Sequence, residues 1–381
     1  MTERSSGPHR SSLERTALYA GGFLGPFGGG IVASILPEIG DDLGVSTSAA
    51  ASSLTAYLLP FALLMLVSGT LGARWGQMRT VRIAYGVHLI SSLACFLAPT
   101  LPLFLGARVL QGCSNSFTTP LLLAALASTT PRKHLGRALG IFGAFQAAGQ
   151  SSAPLVGGLA AEVDWRLAFL VIALVAAVLG LIGTPNSPPT EAGPPRLRDA
   201  LTPSVLRIGM VALLGWGALG GLSFLVAFRA EDVFALSPTE RGLLLTSFGV
   251  AGILTARLIG DIVDRIGARS AVLLGTTCGA VLIAATGTVP LLAVAAVAWF
   301  IAGAAGQFVL VGVNAAALSS PGPNRTGAVS VVQALRFTGY ALAPITLAPL
   351  YVISPAASFL APALLLAVLA PILMPRDSTS A

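Results

Sequence analysis

The stretch Gly260-Asp-Ile-Val-Asp264-Arg265-Ile-Gly267 follows a long apolar run and has a counterpart in the first half of the chain. The counterpart, Gly69-Thr-Leu-Gly-Ala-Arg74-Trp-Gly76, also follows an apolar run and begins 191 positions earlier (260 − 69 = 191). A second pair has nearly the same offset, because Gly149-Gln-Ser-Ser-Ala-Pro154 recurs as Gly339-Tyr-Ala-Leu-Ala-Pro344 after 190 positions (339 − 149 = 190). The 381 residues are therefore predicted to form two copies of one unit.

The composition is that of a membrane protein. Apolar residues make up 55% of the chain and charged residues only 10%, whereas soluble domains carry about 25% charged residues. A spanning helix needs about 20 apolar residues, so long charge-free stretches such as 270–324 must each hold two spans. We predict an all-α membrane protein with twelve transmembrane helices in two pseudo-symmetric six-helix bundles. Repeated halves around a central site occur in many secondary transporters.

A proline-rich segment divides the chain into its two halves. Residues 184–198 contain five prolines, which cannot continue a helix. We predict five regions from this pattern: a disordered, cytoplasmic N-terminal tail at 1–15, a first bundle at 16–184, a cytoplasmic linker at 185–203, a second bundle at 204–374 and a cytoplasmic tail at 375–381.

The basic residues predict the orientation. With the N-terminus inside, the cytoplasmic segments hold 16 of the 22 basic residues, and the outer segments hold only Arg166, Arg229 and Arg241. This bias predicts a multi-pass protein of the cell membrane with both termini in the cytoplasm. The scattered charges form no basic face, which argues against nucleic-acid binding. The three cysteines lack metal-ligand spacing, so we predict no metal and no cofactor.

Several motifs resemble those of the major facilitator superfamily. Residues 260–269 match the signature Gly-x-x-x-Asp-Arg-x-Gly-x-Arg at every position, whereas Ala73 replaces the acid in the first copy. The stretch Arg108-Val-Leu-Gln111-Gly112 is similar to the Arg-x-x-Gln-Gly motif of span four. The glycines and proline of 140–158 are similar to a motif of the drug antiporters, with Ala153 in place of a glycine. The resemblance implies alternating access by two rocking bundles, and its pattern is nearest to the drug efflux branch.

The resemblance also implies two conformational devices. The signature loops would form a latch that holds the outward-open state, and span five would be a gating helix between the bundles. The alternatives are ordinary inside-positive charge for the loops and close packing alone for the glycines. The predicted latch residues are Gly69, Arg74, Gly76, Gly260, Asp264, Arg265 and Gly267, and the predicted gating residues are Gly149, Pro154, Gly157 and Gly158.

Polar residues at helical spacing predict the substrate cavity. A charge within the bilayer is costly and normally faces a cavity or a partner, although an arginine can instead snorkel or bond to a carbonyl. Residues spaced i, i+3 and i+7 lie on one helix face, and aromatic side chains would add walls. The candidates are Arg108, Gln111 and Asn115 on span four, Trp216 on span seven, Gln307 and Asn314 on span ten, and Gln333, Arg336 and Tyr340 on span eleven.

The coupling ion stays open at this stage. The span-five motif implies antiport, but no Asp or Glu lies in the middle of any predicted span, and Gly28 stands where many drug antiporters of the family have an acid. A coupling proton therefore has no mid-membrane carboxylate, which leaves proton coupling in doubt.

The predicted function is secondary active transport of a small organic molecule, with efflux of drug-like or metabolite compounds as the leading hypothesis. The alternative is an uptake or exchange carrier for a small organic anion, with Arg108 and Arg336 as counter-charges. We find no nucleophile–base pair, metal site or phosphate-binding loop that would indicate an enzyme. The partners are the lipid bilayer and the cargo, and the protein is expected to act as a monomer.

Overall fold

The computed structural model describes residues 8–130, 132–183, 201–320 and 325–375, and the regular elements of this part are helical. Most of the predicted linker, residues 184–200, lies outside it. The helices are α1 (Pro8–Gly30), α2 (Leu36–Asp42), α3 (Thr47–Trp75), α4 (Gln77–Leu97), α5 (Leu101–Thr129), α6 (Arg132–Ala161), α7 (Leu167–Ile182), α8 (Pro203–Ala218), α9 (Ser223–Asp232), α10 (Pro238–Ile266), α11 (Ala268–Thr288), α12 (Leu292–Ser319), α13 (Arg325–Ile353) and α14 (Pro355–Leu373).

The helices combine into twelve long segments within the described residues, which agrees with the predicted number. Eight are long and apolar enough to cross a membrane by length and composition, one of them α8 with α9. A ninth is α1 with α2, which is bent by 66° around a 3₁₀ turn at Ile31–Ser34. The other three are α5 with 29 residues, α6 with 30, and the short apolar helix α7 with 16.

The first helix begins earlier than the sequence predicted. Helix α1 starts at Pro8, so the prediction of a disordered tail over residues 1–15 is wrong from Pro8 onward. Proline is favoured at the first position of a helix because its φ is already helical and its missing N–H would be unpaired there. Residues 9–15 contain neither glycine nor proline, and polar composition alone does not end a helix.

The repeated glycines occupy equivalent places in the two halves. A Cβ added at Gly149 in α6 would overlap the carbonyl oxygen of Phe23 in α1, and one added at Gly339 in α13 would overlap that of Leu213 in α8. Phe23 and Leu213 are themselves 190 positions apart (213 − 23 = 190). Helix α6 therefore packs on α1 as α13 packs on α8, which confirms that the halves are two copies of one unit.

The repeated loops also have the same geometry. The turn between α3 and α4 is made by Gly76 with φ +90°, and the turn between α10 and α11 by Gly267 with φ +82°. Glycine is the residue that adopts such positive φ values without strain. The two ends of the molecule can now be named. The terminal side is where α1 begins and α14 ends, together with these turns, and the distal side is the opposite end.

Candidate functional site

On the distal side the two halves touch through backbone. A Cβ added at Gly158, near the distal end of α6, would overlap the carbonyl oxygen of Pro238, the first residue of α10. In return, a Cβ at Gly242 would lie 2.6 Å from the carbonyl oxygen of Pro154 in α6. Because glycine has no side chain, these two helices approach more closely here than any other residue would permit. This contact closes the distal side.

A buried arginine reinforces this closure. Arg241 in α10 is only 2% exposed, and it forms an ion pair with Glu38 in α2 of the other half. Its guanidinium also lies 3.4 Å from Glu231 in its own half and donates to the carbonyl of Ser34 at 3.1 Å. Removing one partner of a buried pair leaves the other charge uncompensated. Arg241 therefore ties the two halves together by charge as well as by shape.

A second polar contact crosses the same surface. The backbone N–H of Thr239, in the first turn of α10, donates to the carboxylate of Glu162 at 3.1 Å. Hydrogen bonds from Thr239 hold the pKa of Glu162 below its usual range, so the carboxylate stays ionised at neutral pH. The ion pair between Arg166 and Asp42, by contrast, lies entirely within the first half.

The closure extends toward the middle of the molecule along α3 and α13. The hydroxyl of Thr55 donates to the carbonyl of Ala341 at 2.5 Å. Further along the same two helices, the rings of Phe61 and Phe337 meet edge to face with their centroids 4.8 Å apart. The contacts between the halves thus run from the distal side to an aromatic cluster near mid-depth.

At the terminal end of α10, unlike at its distal end, the signature loop forms no ion pair with a described residue of the other half. Asp264 and Arg265 are both exposed, and neither forms an ion pair with a residue that the structure describes. A Cβ at Gly260 would meet nothing within 4 Å, so this predicted latch residue makes no close helix contact in this conformation. The backbone alone is described at Gly69 and Arg74. The predicted latch residues Gly260, Asp264 and Arg265 therefore form none of the expected latch contacts with described residues in this conformation.

The predicted gating residues of α6 divide into two groups. Gly149 and Gly157 pack against carbonyl oxygens of Phe23 and Ile31 in their own half. Gly158 meets the other half, as does the carbonyl of Pro154, which also accepts a hydrogen bond from the Ser34 hydroxyl at 2.7 Å. Close packing explains the first group, and the second group lies at the contact between the halves.

The span-four candidates are enclosed within the first half. Arg108, Gln111 and Asn115 are at most 1% exposed, so the expectation that they line a cavity does not hold in this conformation. Arg108 donates to the carbonyl of Gly28 at 2.9 Å and to the side chain of Gln111 at 2.7 Å, and it lies 4.3 Å from the centre of the Tyr57 ring. Backbone and amide oxygens accept from Nε and Nη1, as the carbonyl-bonding alternative predicts, whereas Nη2 is buried without an acceptor among the described residues.

Arg336 on α13 has a different environment. Its guanidinium carbon lies 4.4 Å from the centre of the Phe337 ring and 4.7 Å from that of Trp216. The side chain is half-buried, and no described residue accepts a hydrogen bond from it or forms an ion pair with it. One turn further on, Tyr340 is 8% exposed and belongs to the same aromatic cluster.

The other second-half candidates lie near this arginine along α12 and α13. Gln333 donates to the side-chain oxygen of Asn314 at 3.3 Å, and its own oxygen Oε1 is buried without a partner among the described residues. Gln307 is half-buried on α12, facing Gly252 of α10. Trp216 and Tyr340 thus share a buried aromatic cluster with Tyr57 and Phe61 of the first half, and Arg336 lies beside it. The span-four candidates are enclosed within the first half, where Arg108 contacts the Tyr57 ring of the same cluster.

Sequence reasoning missed the residues that close the distal side. Glu38, Ser34 and Arg241 were not among the candidates, although Arg241 was noted as one of three outer basic residues. Glu38 and Arg241 are 203 positions apart, so no local spacing could pair them. The available signal was the shortage of basic residues at that end, which makes each one a natural partner for several carboxylates.

The sequence profile described as Major Facilitator Superfamily matches residues 18–232, more than half of the chain. The chain belongs to the major facilitator superfamily. The matched region includes the first signature loop, at 69–76, and ends before the second, at 260–269.

Relatives within the superfamily are similar over parts of their length. Over 145 residues, 38% of this chain and 27% of the relative, it is 35% identical to the uncharacterized transporter EfpA of Mycobacterium tuberculosis. Over 210 residues, 52% of this chain and 39% of the relative, it is 30% identical to the tetracenomycin C resistance and export protein of Streptomyces glaucescens. The chain thus matches less than half the length of these curated relatives.

The fold is similar to that of solved members. A bacterial homolog of the human lysosomal transporter Spinster, in an inward-facing and unoccupied conformation, superposes with a TM-score of 0.73. The match covers 97% of this chain and 95% of that one at 18% sequence identity. At this level of identity the likeness supports the major facilitator fold and no statement about cargo.

Proposed function

We propose that this protein exports small, partly apolar organic molecules by alternating access. One observation carries the proposal: the halves are joined by Gly158, Gly242 and Arg241 at one side, while Asp264 and Arg265 at the other side are unengaged. A molecule closed at one side and released at the other is one of the two end states that such a mechanism requires. The relative from Streptomyces glaucescens is named a tetracenomycin C resistance and export protein, which supports efflux.

The proposed orientation puts the terminal side in the cytoplasm, so that this conformation is inward-facing and the cell membrane is its location. The test is thiol labelling of a cysteine that replaces Gly193, within the predicted cytoplasmic linker. The exposed native Cys278 is first replaced, so that it does not react. We expect a membrane-impermeant thiol reagent to label the introduced cysteine in inverted vesicles only. Labelling from outside intact cells would contradict the orientation and with it the assignment of efflux.

Transport itself is tested in proteoliposomes with size-matched cationic, neutral and anionic compounds, with and without a pH gradient. Net movement from the terminal side to the distal side would support export, and movement in the opposite direction would contradict it. The second candidate, uptake or exchange of a small organic anion, is favoured by the unpaired Arg336. It predicts anion-selective movement that does not depend on the side of loading.

The coupling ion is decided by the same experiment. Among the described residues, the carboxylates of Glu38, Glu162 and Glu231 lie at the contact between the halves, and all three are at the distal side rather than at mid-depth. A pH gradient that accelerates export would indicate proton coupling, and loss of that acceleration in Glu162→Gln would assign the proton to this distal carboxylate. An export rate that is the same with and without the gradient would indicate that the protein is an exchanger or a facilitator.

The latch remains a proposal with its own prediction. If Asp264 stabilises the state in which the terminal side is closed, Asp264→Asn should shift the population toward the present conformation. Charge near a helix end is worth roughly 0.3–2 kcal/mol, which corresponds to a shift of about two- to thirtyfold. The measurement is the rate of thiol labelling of a cysteine on the terminal side, with Asp261→Asn as the matched control. Equal labelling rates in the two variants would show that Asp264 acts only as ordinary surface charge and does not stabilise the closed terminal side.

A further inference from the structure

Arg336 carries a charge that it cannot lose. A guanidinium stays protonated at any working pH and has five N–H donors. This one is half-buried on a membrane helix, and no carboxylate among the described residues is close enough to act as its counter-charge. Its Nε is buried and has no hydrogen-bond acceptor in the part of the chain that the structure describes. Such a charge in the bilayer normally has a partner or a function.

The two rings beside Arg336 leave its donors free. Trp216 and Phe337 attract the cation through their π faces at 4.7 and 4.4 Å. This interaction stabilises the positive charge but accepts no conventional hydrogen bond from its N–H groups. A planar anionic group such as a carboxylate is the ligand that fits those donors in a bidentate manner.

The site lies at the contact between the halves. Phe337 touches Phe61 of the first half, and Trp216 and Tyr340 belong to the same buried cluster as Tyr57 and Phe61. A cargo held by Arg336 would therefore contact aromatic surface from both halves. The unpartnered oxygen of Gln333, one turn before Arg336, could accept a hydrogen bond from a hydroxyl or amine of the same cargo.

Arg108 differs from Arg336 in access. It is fully buried, its Nε and Nη1 donate to Ser53, Gly28 and Gln111, and its Nη2 is enclosed without an acceptor among the described residues. An anion could reach it only if the first half came apart, whereas Arg336 lies where the two halves separate during alternating access. From the sequence alone, both arginines were equally plausible counter-charges for an anionic cargo.

We propose that Arg336 is the anion-binding residue of the cargo site, and that the cargo is a small organic carboxylate with a flat aromatic body. The proposal rests on the proposed transport function and specifies its substrate class. The carboxylate would pair with the free guanidinium donors, and the aromatic body would pack among Trp216, Phe337 and Tyr340. The bidentate pair supplies selectivity for the anion, and the rings supply affinity for the apolar body.

The test measures binding to the purified full chain, so that it is independent of transport. The probes are 1-naphthoate, its neutral amide 1-naphthamide, and the cation 1-naphthylmethylamine, which share one aromatic body. We expect the wild-type protein to bind the carboxylate about tenfold or more tightly than the amide, as charge-assisted hydrogen bonds require. The cation should bind most weakly of the three.

Substitutions assign this preference to the residue. Arg336→Gln should abolish the preference for the carboxylate over the amide, while Arg336→Lys should retain part of it. The matched control is Arg207→Gln, which removes an equal charge from a residue that binds the last carbonyls of α14. It should keep the full preference. Thermal unfolding identifies any variant that fails to fold. If Arg336→Gln does not fold, a reduced preference for the carboxylate in Arg336→Lys is the decisive measurement.

Two results would overturn the inference. One is equal binding of the carboxylate and the amide by the wild-type protein, which would make Arg336 a hydrated charge only. The other is an undiminished preference in folded Arg336→Gln, which would place the anion elsewhere. Failure of the proposed function is distinguishable, because it would appear as selective binding without any transport.

Discussion

Replacing Gly158 with alanine should open the distal side of the transporter. The added methyl group would overlap the carbonyl oxygen of Pro238, which belongs to the other half, so the clash exists only while that side is closed. Overpacking of this kind costs about 1–3 kcal/mol, which corresponds to a population shift of roughly 5- to 150-fold toward the distal-open state.

Its neighbour supplies the control. A methyl group at Gly157 would overlap the carbonyl oxygen of Ile31, which lies in the same half. Gly157→Ala should therefore lower the melting temperature without moving the conformational equilibrium, because its clash is present in every state. If the two variants behave alike, the contact at Gly158 does not control opening.

The measurement is the distance between the halves on the distal side. Spin labels on cysteines replacing Val163 and Leu291 are suitable, since these side chains are 82% and 56% exposed and lie in distal loops of different halves. The native cysteines are removed first. In Gly158→Ala a longer distance should become the major population, whereas in Gly157→Ala the distribution should match that of the parent protein.

Replacing Arg241 with glutamine should have a comparable effect through charge. The substitution leaves Glu38 in the first half facing Glu231 in the second without the cation that now lies between them. Breaking a buried pair costs about 3–5 kcal/mol. Because the two carboxylates are 23% and 40% exposed, screening by water reduces this to roughly 1–3 kcal/mol. The distal-closed state should lose stability by that amount.

Arg166→Gln is the matched control for charge. Arg166 also pairs with a carboxylate at the distal side, but its partner Asp42 belongs to the same half. The same spin labels should report opening in Arg241→Gln and none in Arg166→Gln. Opening in both variants would mean that the distal side responds to its total charge and that the pairing of Arg241 with Glu38 is not specific.

The fold could be predicted from the sequence because its signals are local and repeated. The charge-free stretches reflect the cost of burying charge in lipid, which acts on every residue of a span independently. The repeated glycines at 149 and 339 were recognisable because both copies need the same close approach of two helices. The positive-φ turns at Gly76 and Gly267 likewise depend on the glycine itself rather than on distant partners.

The site depended on information that the sequence does not carry locally. Gly157 and Gly158 are adjacent, but about 100° of helical rotation separates them, so one faces its own half and the other faces the partner half. Arg108 and Arg336 carry the same charge and both lie against aromatic rings, yet Arg108 also donates to carbonyl groups, whereas Arg336 has no acceptor among the described residues. Spacing along one helix determines which residues share a face. Only the tertiary structure decided what each face meets, because the partners lie on other helices, such as Pro238, which is 80 positions from Gly158 (238 − 158 = 80), and Gly28, which is 80 positions from Arg108.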